Sequence, residues 1–368
     1  MSIDYKSLAK PGVQNLAPYV PGKPTEELQR ELGLDRVVKL ASNENPLGAS
    51  PAVAGAMQNL WHDIARYPDG NGFKLKQALS KKFDIEPDCI TLGNGSNDVL
   101  ELIAKAFVDN GEEVVFSEHA FAVYPIVTQA VGGKAVVVPA KDYGHDLAAM
   151  ASAVTERTKV MFVANPNNPT GTWNNRDAVV NLLDSVPPQV IVVLDEAYFE
   201  YVSEADYPNG VELLGRFPNL VVTRTFSKIF GLASLRVGYG FASAEITDVL
   251  NRVRQPFNVN SYAQAAAVAS LKDRDFLSRS RKLNDEGLVY LANGFRDIGL
   301  EYIPSVGNFI TFMANDAEKV YDDLLRKGVI VRPVAGYGIA NGLRVTVGTV
   351  SENRVFLKAL KDVLAAHS

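Results

Sequence analysis

Cysteine is almost absent. The 368 residues hold one, Cys89, which excludes a disulfide within the chain and makes a small buried thiol in a reducing, cytoplasmic compartment the expectation. Histidine is scarce as well. The four histidines, His62, His119, His145 and His367, show no metal-ligand spacing, so a histidine-built metal centre is not expected and each reads as a surface or packing residue. No apolar run is long enough to span a bilayer, and the start, Met1-Ser2-Ile3-Asp4-Tyr5-Lys6, lacks the apolar stretch of a secretory signal. No membrane association is expected. Nor is there a Lys/Arg block: with a formal net charge of −5, the basic footprint that nucleic-acid binding needs is missing. Small molecules or other protein chains are the expected partners.

What is present is an ordinary globular balance, 47% hydrophobic and 21% charged, at a length that suits two domains or one large one. From about position 90, short β-branched apolar runs at 113–116, 135–139, 159–164, 190–194, 220–223 and 237–241 alternate with helix-length patterns such as 98–108 and 176–185. That alternation predicts α/β structure with a doubly wound, mostly parallel central sheet whose strands are buried on both faces. After about 255 the texture changes to long amphipathic stretches, 263–271 and 276–294, followed by short strands near 309–312 and 343–347, the pattern of a smaller α+β domain. Pro11, Pro18, Pro21 and Pro24 mark the first forty residues as an extended arm lying on another surface. The expected division is an arm at 1–42 joining the small domain, a large domain at 43–254 and the small domain at 255–368.

Ligands of open α/β sheets sit at the carboxyl ends of strands, which directs attention to the polar residues that follow apolar runs. Four places stand out. Gly93-Asn94-Gly95-Ser96-Asn97-Asp98 precedes a helical pattern; glycines before a helix start let N–H groups turn toward an anion, although a plain capped turn reads equally well. Asp98 stands where a dinucleotide fingerprint needs its third glycine. Asn165-Pro166-Asn167-Asn168-Pro169-Thr170-Gly171 is a rigid turn after a strand, able to project amide side chains. Asp195-Glu196-Ala197-Tyr198 sets a carboxylate at the mouth of a buried strand, where it needs a donor or a cation, with a structural arginine as the plain alternative. Ser227-Lys228 follows the next strand, with Arg236 eight residues on; a desolvated lysine becomes a nucleophile, whereas an exposed one is only a loop residue.

A lysine that could form an imine, a carboxylate for a pyridinium nitrogen and an anion cradle are together what pyridoxal 5'-phosphate demands. In order and spacing, Asn168-Pro169-Thr170-Gly171, Asp195-Glu196-Ala197-Tyr198 and Ser227-Lys228 with Arg236 resemble the fold type I PLP-dependent aminotransferases over nearly the whole chain. Finer features look like histidinol-phosphate aminotransferases: Pro18-Tyr19-Val20-Pro21-Gly22-Lys23-Pro24, Leu40-Ala41-Ser42-Asn43-Glu44-Asn45-Pro46-Leu47-Gly48, Arg66-Tyr67-Pro68-Asp69-Gly70, and Val331-Arg332-Pro333 with Leu343-Arg344-Val345.

The resemblance implies roles residue by residue. Lys228 would carry the cofactor on its ε-amine and act as general base; Asp195 would stabilise the pyridinium; Tyr198 and Asn168 would hydrogen-bond the ring oxygen; Phe121, often tyrosine in the family, would stack on the ring. Gly95, Ser96, Asn97, Ser227 and Arg236 would hold the cofactor phosphate, with Tyr67 reaching in from a second subunit of a homodimer. Tyr19, Asn43, Arg332 and Arg344 would face the substrate. The implied reaction exchanges amino groups between L-histidinol phosphate and 2-oxoglutarate, giving imidazole acetol phosphate and L-glutamate, in histidine biosynthesis. Alternatives are an aromatic amino-acid aminotransferase, a phosphothreonine decarboxylase and a non-catalytic cofactor-binding regulator, the last needing a helix-turn-helix domain and a basic face that this chain lacks.

Overall fold

The computed structural model describes residues 3–19, 21–58 and 60–367. Met1, Ser2, Val20, Asn59 and Ser368 lie outside the described residues, and with them the outer ends of the expected arm and small domain and one member of the proline-rich motif.

The N-terminal stretch is more structured than its prolines suggest. It carries α1 (Pro11–Gln14), α2 (Thr25–Leu32) and β1 (Val38–Lys39). Proline needs no N–H partner at a helix start, and Pro11 occupies the first turn of α1 while Pro24 caps α2. Glu26 and Glu27 in the first turn of α2 and Arg30 in its last complement the helix dipole, and Gly33 ends it in the left-handed conformation. The expectation of an extended arm is corrected accordingly.

Next come α3 (Pro51–Gln58), α4 (Phe73–Phe83), β2 (Ile90–Gly93), α5 (Ser96–Phe107), β3 (Glu113–Ser117), α6 (Val123–Val131), β4 (Lys134–Val138), α7 (Leu147–Ser152), β5 (Thr158–Ala164), α8 (Arg176–Ser185), β6 (Ile191–Asp195), β7 (Leu220–Thr225), β8 (Gly238–Phe241) and α9 (Ala244–Val253). Seven of these strands form one sheet in the order β2-β8-β7-β6-β5-β3-β4, with β8 antiparallel to both neighbours and the rest parallel. Side chains alternate between the faces: along β5, Val160 and Phe162 enter one core and Met161 and Val163 the other. Strands β5, β6 and β7 therefore carry continuous apolar runs, 160–164, 191–194 and 220–222, because both sides are covered. Strand β4 is apolar for a different reason. It forms the sheet edge, where Ala135 is exposed and Val137 is 53% exposed, so a continuous apolar run did not mean burial on both faces there.

The remaining elements are α10 (Ser261–Ser270), α11 (Arg274–Asp297), β9 (Tyr302–Ile303), β10 (Phe309–Met313), α12 (Ala317–Arg326), β11 (Val329–Ile330), β12 (Arg332–Pro333), β13 (Gly342–Thr346) and α13 (Val350–His367). An antiparallel sheet β12-β13-β10-β9 shares a separate core with α11, α12 and α13, built on Phe295, Phe312 and Phe356. Helix α10, grouped on sequence with this second body, instead packs Ala263, Ala266 and Ala267 into the core of the large sheet. The arm strand β1 pairs in parallel with β11, Val38 opposite Val329. No helix among the described residues is long and apolar enough to cross a membrane.

His145 supplies a pH signature. Burial pushes its imidazole down to about 4 from an ordinary value of 6.5. Between those values the unfolded chain binds a proton that the native chain does not, so stability is whole above the upper value and falls as pH drops toward the lower one. The expected loss is roughly 3 kcal/mol at full extent. Urea midpoints at about pH 7 and about pH 5 should therefore separate in the parent and converge in His145→Gln.

Candidate functional site

The carboxyl ends of β5, β6 and β7 open into one cavity of about 440 Å³ between the two sheets. Lys228, Asp195, Tyr198, Asn168, Phe121, Ser96, Asn97, Ser227, Arg236, Tyr19, Asn43, Arg332 and Arg344 all line it. The sequence had scattered them over more than three hundred positions.

One end of the cavity is an anion cradle. Gly95 precedes α5 with φ +82°, and a Cβ there would lie 2.3 Å from the Arg236 guanidinium. Glycine lets the positive group approach the helix N-terminus, and the cap residue brings no side chain to occupy the first-turn N–H groups. Gly238 serves the same close approach from β8, since a Cβ there would meet the Ser96 nitrogen at 2.2 Å. Arg236 Nη1 donates to Ser227 Oγ at 3.2 Å and to the Ala233 carbonyl at 3.1 Å. Helix dipole, two hydroxyls and a guanidinium converge on a pocket that fits a phosphate.

At the centre, Asp195 is buried at the end of β6. Thr223 donates to its Oδ1 at 2.9 Å and the Tyr124 hydroxyl to its Oδ2 at 2.9 Å. Burial pushes this carboxyl above its usual range, while the two hydroxyls and the nearby Lys228 pull it back. The structural arginine offered on sequence as its alternative partner goes elsewhere. Arg224, 0% exposed, binds the neighbouring Glu196, also 0% exposed, through Nε at 2.9 Å and Nη2 at 2.7 Å. A buried ion pair thus fixes β6 to β7, and the side chains that hydrogen-bond Asp195 among the described residues, Tyr124 and Thr223, are neutral.

Lys228 follows β7. Its Nζ donates to the Ser42 carbonyl at 3.3 Å and lies 5.6 Å from the Tyr198 ring centre. Desolvation by burial, and next the Arg344 guanidinium, bring its ammonium down to about 8, so near neutral pH an appreciable fraction is free amine. Tyr198, pushed up to about 12 by burial, remains a neutral phenol and accepts from Asn43 Nδ2 at 2.8 Å.

The other end is basic. Strands β12 and β13 set Arg332 opposite Arg344. Arg344 donates to Asn168 Oδ1 and, at 2.7 Å, to the Ala41 carbonyl, yet its buried Nε has no partner among the described residues. The Arg332 guanidinium lies 5.5 Å from the Tyr19 ring, and Tyr337 closes the wall. A donor left unmatched at this depth carries a cost that an anionic ligand would remove. Two of the expected residues do not line the cavity: Gly95, which stands behind it against Arg236, and Tyr67. Tyr67 is 81% exposed, outside the cavity, stacked on Phe257 with ring centres 4.7 Å apart.

Tyr124, Thr223, Tyr337 and the Ser42 carbonyl received no role on sequence. Two of them had a signal. Tyr124 stands three residues after Phe121, near the start of α6, and Thr223 is the first polar residue after the apolar Leu220-Val221-Val222 start of its strand. Tyr337 and a backbone carbonyl gave none.

The chain is similar to known proteins in sequence and in fold. The model of the aminotransferase class I and II family matches residues 35–360. A histidinol-phosphate aminotransferase of Pseudomonas fluorescens is 58% identical over 368 residues, covering 99% of this chain and 100% of its own. One of Pseudomonas aeruginosa is 58% identical over 365 residues, covering 98% and 99%. Among solved structures, the histidinol-phosphate aminotransferase of Sinorhizobium meliloti in complex with pyridoxal-5'-phosphate is 29% identical, with a TM-score of 0.90 over 97% of this chain and 98% of that one.

Proposed function

The chain belongs to the class I and II aminotransferases and is a pyridoxal-phosphate-dependent transaminase, and we propose that it interconverts L-histidinol phosphate plus 2-oxoglutarate with imidazole acetol phosphate plus L-glutamate. The observation that carries the reading is the convergence of a desolvated, deprotonatable Lys228, a buried Asp195 without a cationic clamp, and the Gly95–Arg236 cradle in one cavity. When bound, pyridoxal phosphate supplies an electron sink.

Lys228 would hold the cofactor and move a proton to and from the substrate's reacting carbon. Asp195 would stabilise a pyridinium nitrogen, Asn168 and Tyr198 would hydrogen-bond the ring oxygen, and Phe121 would stack on the ring. Gly95, Ser96, Asn97, Ser227 and Arg236 would hold the phosphate. Tyr67, exposed on its own chain, contributes across a homodimer interface, and its apolar stack with Phe257 supports that placement. The single half-buried cysteine fits a cytoplasmic setting.

Histidinol phosphate has no carboxylate and glutamate has two, so one basic wall must accept differently shaped anions in turn. Arg332, Arg344 and Tyr19 are assigned to that wall. Arg332→Ala should lower kcat/KM for histidinol phosphate by on the order of a hundredfold, the worth of a charge-assisted contact, and spare phenylalanine. Equal losses on both substrates would sink the assignment. The reaction itself is tested by steady-state rates with 2-oxoglutarate as acceptor. A kcat/KM for phenylalanine at or above that for histidinol phosphate would identify an aromatic aminotransferase instead.

A further inference from the structure

Tyr124 does not line the cavity, and its surroundings give it a defined task. The side chain is fully buried at the start of α6. Its ring stacks on Phe162 of β5, with centres 4.7 Å apart and planes at 6°, and leans on Phe116 of β3 at 6.4 Å. That packing aims the hydroxyl over the end of β5 at Asp195 Oδ2, 2.9 Å away. The edge of the same ring meets Phe121 at 5.9 Å and 87°. One rigid phenol thus touches both the carboxylate assigned to the pyridine nitrogen and the aromatic ring assigned to the cofactor's face.

We propose that Tyr124 is a positioning residue for this reaction: its hydroxyl, with that of Thr223 on the other oxygen, keeps Asp195 an oriented carboxylate, and its ring edge sets the tilt of Phe121. The proposal rests on the reading that Asp195 faces the pyridine nitrogen. A carboxylate at this depth would otherwise take up a proton, because burial favours the neutral acid. Two hydroxyl donors oppose that by stabilising the charged form. Burial, followed by the charge of Asp195, drives the Tyr124 phenol well above its ordinary range, so it remains a donor at every working pH. An ammonium or guanidinium in the same position would compete with the pyridinium for the carboxylate; a neutral hydroxyl orients without competing.

Tyr124→Phe preserves the stack and removes only the donor. Asp195 then binds a proton more tightly and draws it from the ring nitrogen, and a less positive ring makes the cofactor–Lys228 linkage more basic. In the holoenzyme, a visible-absorbance pH titration of that linkage should shift upward. Arg236, Arg344, Glu44 and Tyr198 also face it and are unchanged in the variant, so the shift reports on Asp195. kcat should fall roughly ten- to hundredfold with KM little altered, the range for one hydrogen bond to a charged group. Thr223→Val should move the titration in the same direction, and the double variant further. A Tyr124→Phe enzyme with the parent's titration and kcat would reduce Tyr124 to packing and overturn the proposal. Asp195→Asn separates the two levels. If it shifts the titration while Tyr124→Phe does not, only the role of Tyr124 fails; if neither variant shifts it, the placement of Asp195 opposite the ring nitrogen fails too.

Discussion

Lys228→Ala should leave a folded protein that has lost transamination, with kcat lower by at least about 10⁴-fold, because nucleophile and proton carrier disappear together. Folding should survive because the lysine stabilises little. Its desolvated ammonium makes one long hydrogen bond, to the Ser42 carbonyl at 3.3 Å, and removing a poorly matched cation from such a place relieves a desolvation cost. The cradle of Gly95, Ser96 and Arg236 is untouched, so cofactor should still bind, but as a dissociable ligand. Two measurements check this: single-turnover rates, and borohydride reduction of the parent followed by peptide mapping. The structure offers rivals for the adduct in Lys76 and Lys82, whose ammonium groups are both lowered, chiefly by desolvation. Neither lines the cavity. A reduced adduct on either of them would refute the assignment of Lys228.

Asp195→Asn is the second large effect. The amide keeps the size of the side chain and can still accept from Thr223 or Tyr124, so the fold and the cofactor's phosphate contacts should persist. What disappears is the negative charge at the ring nitrogen. A preorganised charge of this kind is worth on the order of 10²–10³ in kcat, and the loss should fall on kcat rather than KM. Steady-state kinetics with equilibrium dialysis of the cofactor separates the two. An Asp195→Asn enzyme retaining most of the parent's kcat would remove Asp195 from the chemistry.

Much of the central sheet was legible in the sequence because its strands are buried on both faces, and continuous apolar runs such as 190–194 need no periodic pattern to be recognised. Strand β2 was not read, since its four residues, Ile90 to Gly93, are too short to separate from the approach to α5. The arm's helices were hidden because Pro11 and Pro24 read as breakers when they occupy helix starts, where proline is tolerated. Helix α10 was misgrouped for a plainer reason: alanine at 263, 266 and 267 fits any core, and composition does not say which.

The site divided in the same way. Side chains that carry charge at strand ends, Asp195, Lys228 and Arg236, advertise themselves. Those that orient them by tertiary contact do not. Tyr124 reaches Asp195 across 71 positions and Asn43 reaches Tyr198 across 155, distances over which a single sequence carries no signal. Tyr67 was named with a partner's site in view, and nothing within one chain could bring it to the cavity.

The pairing of β1 with β11 bears on how such an enzyme can be recombined. Two residues of the arm, Val38 and Lys39, are sewn to the C-terminal body. The chain then runs straight to Ser42, whose carbonyl receives Lys228, and Asn43, which holds Tyr198 and Thr346. A chimaera that exchanges only the C-terminal segment would sever that seam and misplace Asn43 against a foreign strand. Crossover points that keep specificity modular must be discontinuous, carrying the arm through Asn45 together with the C-terminal body as one transplanted unit.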